Sequence, residues 1–351
     1  MSRRPLFPRT GGRRRPVRKG PGPIRPVARL FVALLVVAML GGGWVVWAYR
    51  GPGPAARQGP STDVILPKGA STAQIAGALK AAGVIGSREL FYLAAKLGGA
   101  GRRLKAGEYE FRSGQSMAQV LSDIAQGKVV KRFVSVPEGW TSDMAADAVR
   151  ADPVLTGDIE TPPEGSLLPD SYQVQRGEAR AAVIGRMQAA RDQLLAQLWA
   201  GRAPDLPLKT PEEAVTLASI VEKETGIPAE RPRIAAVFEN RLRAGIRLES
   251  DPTIIYPITK GRPLGRGITR SELDAGTPYN TYKIAGLPPT PIANPGRASL
   301  AAVLNPPKSD EMFFVADGTG GHVFASTYAE HAANVAKWRA IERQRAVGGG
   351  K

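Results

Sequence analysis

Scanned for apolar and polar positions, the chain first shows a stretch with no polar periodicity. Leu30 to Tyr49 holds twenty residues without a charge. At about 1.5 Å rise per residue this matches the roughly 30 Å of a hydrocarbon core and predicts a transmembrane helix over 30–49. Trp44, Trp47 and Tyr49 gather at its C-terminal end, where aromatic rings favour the membrane interface. The run Gly41-Gly42-Gly43 weakens helix propensity but is tolerated in lipid. A Pro/Gly-rich linker over 50–61 follows.

Beyond the linker a local pattern recurs. Val64-Ile65-Leu66-Pro67-Lys68-Gly69-Ala70-Ser71-Thr72 precedes a helical run from Ala73 to Ala82. Seventy residues later Val134-Ser135-Val136-Pro137-Glu138-Gly139-Trp140-Thr141-Ser142 precedes another, Asp143 to Arg150. Phe111-Arg112-Ser113-Gly114-Gln115-Ser116 ahead of Met117 to Ala125 is a shorter echo. Each reads as a short strand, a glycine turn and a Ser or Thr at the helix N-cap. Helical periodicity then marks Ala181 to Ala200. A further helix is predicted from Pro211 to Glu224, with Thr210 as N-cap and Glu213 completing a capping box. Another follows over Ala229 to Ala244. Residues 246–327 read as turns ending in a strand at Met312 to Ala316 and a hairpin at Asp317-Gly318; a last helix runs from Tyr328 to about Val347. The expected fold class is α+β.

Charge sets the direction of the anchor. Lys and Arg number 48 against 31 Asp and Glu, a net +17. Eleven basic residues and no acid fall in residues 1–50, ten of the eleven ahead of the apolar run. Cytoplasmic loops carry such an excess, so the N-terminus is expected in the cytoplasm and everything after residue 50 outside it. A cleaved signal peptide is the rival reading, but Trp-Ala-Tyr-Arg follows where a small-x-small site is needed. The Arg/Pro/Gly-rich arm, 1–29, reads as a disordered cytoplasmic tail facing anionic lipid. Nucleic-acid binding would need interleaved aromatics, and the arm has one Phe and no Tyr or Trp.

The chemistry open to the chain is narrow. There is no cysteine, and His322 and His331 are the two histidines, so thiolate chemistry and most zinc sites are excluded. General acid–base work then falls to Asp, Glu, Lys or Tyr. Glu222 and Glu224, in Ala218-Ser219-Ile220-Val221-Glu222-Lys223-Glu224-Thr225, flank the apolar stripe Ala214, Leu217, Ala218, Val221 on opposite borders. Periodicity does not choose between them. Three loops, 251–256, 277–282 and 286–296, concentrate Tyr, Asn and Thr among prolines. They suit a sugar-binding groove and equally suit turns that need those residues for backbone reasons.

These segments resemble a known family, the YceG-like proteins or MltG-type endolytic murein transglycosylases. The resemblance is carried by Ala218 to Thr225, Leu168-Pro169-Asp170-Ser171-Tyr172, Asn240-Arg241-Leu242, and Leu248 with Asp251-Pro252-Thr253 and Tyr256. Pro278-Tyr279-Asn280-Thr281-Tyr282, Gly286-Leu287-Pro288-Pro289, Phe314 to Gly318 and Gly320 to Phe324 continue it, and Leu104 to Phe111 looks like the family's LysM-like region. It runs in order from about 62 to 340. Departures are the long basic arm, Ser171 where Thr is frequent, and Glu239 where an apolar residue is frequent.

The resemblance implies an anchor, a LysM-like subdomain over 62–132, a catalytic domain over 133–340 and a flexible tail over 341–351. It implies cleavage of the β-1,4 bond between N-acetylmuramic acid and N-acetylglucosamine in nascent strands, leaving a 1,6-anhydro end and terminating elongation. Glu222 aligns with the family's catalytic glutamate; Glu224 and Ser219 are candidate supporting residues. Tyr256, Tyr279, Asn280, Thr281 and Asp251 are candidates for binding sugar. No cofactor or metal is expected, and nucleic acid is not an expected partner. Peptidoglycan strands and the inner membrane are, with penicillin-binding proteins as candidate partners. The competing reading is a non-catalytic, membrane-tethered glycan-binding module.

Overall fold

The computed structural model describes residues 24–348. Most of the basic arm therefore lies outside the described residues. The chain divides into two compact units, 1–130 and 131–351.

In the first unit, α1 (Ile24–Arg50) is the apolar helix, and its segment Val27–Arg50 is long and apolar enough to cross a membrane. It begins upstream of Leu30, taking in residues expected to belong to the arm. Pro26 falls in its first turn, where a missing N–H costs nothing. Beyond it, β1 (Ser61–Leu66) pairs antiparallel with β2 (Gly107–Arg112), Val64 opposite Tyr109. The helices α2 (Thr72–Ala81), α3 (Arg88–Leu97) and α4 (Met117–Gln126) close over them. Ser71 and Ser116 form complete capping boxes with Gln74 and Gln119. Leu66, Leu79, Phe91, Tyr109, Phe111 and Ile124 fill the core.

The second unit begins with β3 (Arg132–Ser135), paired antiparallel with β4 (Ser171–Val174), Val134 opposite Tyr172. Between them lies α5 (Ser142–Ala151), capped by Thr141. Then come α6 (Arg180–Ala200), α7 (Pro211–Glu224), α8 (Arg231–Arg243), α9 (Pro252–Thr259), the short α10 (Arg270–Asp274) and α11 (Arg297–Leu304). A hairpin of β5 (Phe313–Ala316) and β6 (His322–Ala325) precedes α12 (Tyr328–Gly348). α12 continues through residues expected to form the flexible tail.

The centre of this unit is α7. Thr210 caps it by accepting from the Glu213 N–H at 3.1 Å. The Glu213 carboxylate takes the N–H of Lys209 rather than that of the cap, so the predicted box is half made. Every residue from Ala214 to Glu222 is buried, with α6, α8, α9 and α11 packed around it. The amphipathic stripe read from the sequence is therefore a helix wrapped on all sides. Residues 246–327, expected as turns, contain α9, α10 and α11. Pro252 supplies the first turn of α9, and Pro257 lies inside it. Eight-residue helices with such prolines leave too little periodicity to recognise.

Candidate active site

Two glutamates leave the end of α7 into different surroundings. The Glu222 side chain is 4% exposed, and its Oε1 accepts from Arg231 Nη2 at 3.0 Å. Its Oε2 accepts from the Gly296 N–H at 2.8 Å. A buried carboxyl with both oxygens met by donors is held in one orientation. Glu224 has a single hydrogen bond among those described, from the Ser250 hydroxyl. Desolvation pushes its carboxyl up to about 7, with the Ser250 bond opposing and the Asp251 charge adding to the rise.

The second copy of the strand–glycine–helix pattern reaches this site. Gly139, at φ +75°, lies so close that an added Cβ would stand 3.5 Å from Glu222 Cγ. Its neighbour Glu138 accepts from the same Arg231 Nη2 at 3.3 Å. Asn294 fastens the turn: its carbonyl accepts from Gly139 N–H at 3.0 Å, and its amide donates to Trp140 O at 3.0 Å. The same side chain accepts from the Leu167 N–H at 2.9 Å. Glu164 receives the Ser142 N–H at 2.8 Å and the Tyr256 hydroxyl at 3.2 Å; burial raises its carboxyl despite these bonds.

The residues expected to bind sugar divide into two groups. Tyr256 has its ring 5.2 Å from that of Tyr279, and Tyr279 shares a 2.7 Å hydrogen bond with Thr290. Tyr256 lines a cleft of about 190 Å³ together with Lys223, Pro252, Ile255, Arg262 and Ile292. Asp251 accepts from the Tyr282 hydroxyl at 2.8 Å and adds its charge to the field at Glu224. Asn280 and Thr281 do not face this cleft. Asn280 is 1% exposed and donates to Leu273 O and Ala275 O at 3.0 and 2.7 Å, while accepting from Tyr282 N–H at 3.0 Å. Thr281, fully buried, bonds Thr253 Oγ1 at 2.9 Å and Ser250 N–H at 3.0 Å, so it braces the hydroxyl that serves Glu224. Ser219 is likewise internal: it donates to Thr216 O at 2.7 Å and accepts from Ile292 N–H at 3.0 Å. It thereby steadies the segment that carries Gly296.

Arg231, Glu138, Glu164, Asn294 and Ser250 were not candidates from sequence. Glu138 and Asn294 did lie in segments marked as a recurring turn and a Pro-rich loop. Arg231 carried no such signal, since an arginine beginning a helix usually faces water.

The YceG-like family model matches residues 64–337. The chain belongs to the YceG-like family. It is 27% identical over 303 residues to a Bacillus subtilis protein named endolytic murein transglycosylase, covering 77% of this chain and 83% of that one. A Streptococcus pneumoniae protein of the same name is 29% identical over 325 residues, 78% of this chain; the match spans 57% of the streptococcal protein. Among solved structures, a YceG-like protein from Listeria monocytogenes superposes with TM-score 0.50 at 29% identity, covering 78% of this chain and 98% of that one. The Glu222–Arg231–Glu138 group and the Glu224–Ser250 pair thus sit inside the YceG-like region.

Proposed function

We propose that this YceG-like protein is a membrane-anchored endolytic transglycosylase. It would cleave the β-1,4 bond between N-acetylmuramic acid and N-acetylglucosamine inside a nascent glycan strand and leave a 1,6-anhydro end. The observation that carries the reading is the pair of glutamates at the end of α7, Glu222 buried and Glu224 half-buried, in a chain whose curated relatives bear that activity in their names. Glu222 is the proposed acid and base. It gives its proton to the glycosidic oxygen as the bond to C1 breaks. The resulting carboxylate takes the proton of the sugar's C6 hydroxyl as O6 closes on C1. One proton leaves and one returns, and the intramolecular attack requires no positioned water. Tyr256 and Tyr279 offer aromatic faces for the sugar.

One observation favours a second assignment of the acid. Glu224 is the glutamate that desolvation pushes up to about 7, a value suited to donation near neutral pH. The strand–turn–helix unit of residues 62–132 is the proposed LysM-like glycan-binding module, with α1 as the anchor and its N-terminus in the cytoplasm. Synthases such as penicillin-binding proteins are the proposed neighbours, because terminating a strand means acting where strands are made.

The test is digestion of nascent glycan strands by the full chain in detergent, beside Glu222→Gln and Glu224→Gln, with products read by mass spectrometry. Wild type is expected to give anhydro-muramyl ends, and Glu222→Gln to lose roughly 10²–10⁴-fold in rate. Loss confined to Glu224→Gln would move the acid to Glu224. Retention of glycan without any cleavage would instead support the tethered binding module.

A further inference from the structure

The two copies of the strand–glycine–helix pattern differ in charge at the residue before the turn glycine. Val64 and Leu66 in the first, like Val134 and Val136 in the second, are buried, and the turn glycines Gly69 and Gly139 share left-handed φ values of +82° and +75°. Ser71 and Thr141 cap the helices that follow. Around Gly69 an added Cβ would meet nothing within 4 Å, whereas Gly139 packs on Glu222. The residue before the glycine is Lys68 in the open copy and Glu138 in the packed one. The second copy therefore delivers a carboxylate to the end of α7.

That carboxylate shares a cation with Glu222. Arg231 Nη2 bonds Glu222 Oε1 at 3.0 Å and Glu138 Oε2 at 3.3 Å. Arg231 Nε is buried without a partner, so Nη2 fixes the guanidinium between the two acids. A Cβ on Gly296 would stand 1.9 Å from Glu138 Oε1, and the Gly296 N–H is itself a donor to Glu222. Turn, α7 and the 294–296 segment thus converge on one three-membered group: two carboxylates and one guanidinium.

We infer that Glu138 is a positioning residue for the proposed reaction, sharing Arg231 with Glu222 so that the guanidinium never fully neutralises Glu222. The inference rests on the acid–base role proposed for Glu222. When Glu222 loses its proton, Arg231 steadies the carboxylate that forms; before that step, Glu138 limits the same attraction and lets the proton stay. The charged groups facing the pair are Arg231 from α8 and Lys223 from α7, whose Nζ donates to Gly139 O at 3.4 Å. Burial first and the Glu222 charge second raise the Glu138 carboxyl, against Arg231.

The experiment compares kcat, KM and pH–rate profiles of the full chain with Glu138→Gln and Glu138→Asp, with folding checked by circular dichroism. Glu138→Gln leaves Arg231 wholly to Glu222. Its kcat is expected to fall about tenfold or more, short of the ~10²–10⁴-fold of losing the acid itself. Its alkaline limb is expected to move to lower pH, with KM little changed. Glu138→Asp, keeping the charge, is expected to restore the wild-type limb. A Glu138→Gln protein with unchanged kcat and profile overturns the inference, as does a kcat loss with an unmoved alkaline limb. Absence of anhydro ends from wild type would instead overturn the proposed reaction, so the two failures are separate.

Discussion

Glu239 and Glu222 are both buried glutamates, yet their surroundings differ by one hydrogen bond. The Glu239 side chain is fully enclosed on α8, with Oε2 accepting from Arg243 at 3.1 Å and Oε1 buried without a partner. Glu222 has a donor on each oxygen. Desolvation, partly offset by Arg243, pushes the Glu239 carboxyl up to about 7 from its ordinary 4.5. Between those two values the folded chain holds the proton and the unfolded chain does not. Glu239 therefore lowers stability progressively as pH rises from about 4.5 through 7. Replacing a buried ion pair with well-packed apolar volume is often stabilising by roughly 1–4 kcal/mol. Glu239→Leu is accordingly expected to raise the urea midpoint at pH 8, with a gain that shrinks toward pH 4. An equal gain at both pH values would mean that shape, not charge, sets the cost. The odd position was legible as a departure from the family pattern; the orphaned oxygen was not, because it depends on packing from other elements.

At the scale of elements, legibility followed local determinants. The bounds of α7 were readable because Thr210, Pro211 and Glu213 act within one turn, and the recurring turn was readable because glycine and a capping hydroxyl mark it. Helices α9 and α11 were not, being eight residues each and lying among prolines that suggest turns. Glu222 was readable as a candidate, while its partners were scattered: Arg231 is nine residues away in sequence and Gly296 seventy-four. Asn294 shows why such distance defeats a linear reading. Its buried side chain joins the turn after β3 to the segment before β4, through Trp140 O, Ser142 Oγ at 3.1 Å and Leu167 N–H. Asn294→Ala leaves the Leu167 N–H and part of the Trp140 carbonyl's bonding unmet. At about 1–3 kcal/mol for each buried group left bare, a loss of roughly 2–5 kcal/mol is expected by urea unfolding, together with displacement of Glu138 from Arg231. A loss below about 1 kcal/mol would mean that water or a shifted backbone replaces the amide.

At the scale of the molecule, each core closes on residues of its own unit. Phe91, Tyr109, Phe111 and Ile124 belong to the first, and Leu217, Ile220, Phe238 and Leu300 to the second. A domain the size of the first buries a smaller fraction of its chain's surface and is correspondingly marginal. The second is built around a helix buried from Ala214 to Glu222 and carries the candidate active site. Thermal unfolding of the full chain in detergent is therefore expected to show two transitions, with the first unit melting at the lower temperature. Phe91 is fully buried, and truncating a buried Phe costs about 3–5 kcal/mol. In a domain this small that lowers the midpoint by at least ~10 °C. Phe91→Ala should move the first transition alone. The second can be followed separately through digestion of soluble strands, which should survive past the first. If both transitions shift together, the units unfold cooperatively and the glutamates at the end of α7 depend on the fold of the first unit. If only the first moves while cleavage persists, the chemistry belongs to residues 131–351 and the first unit serves to bring them to their substrate.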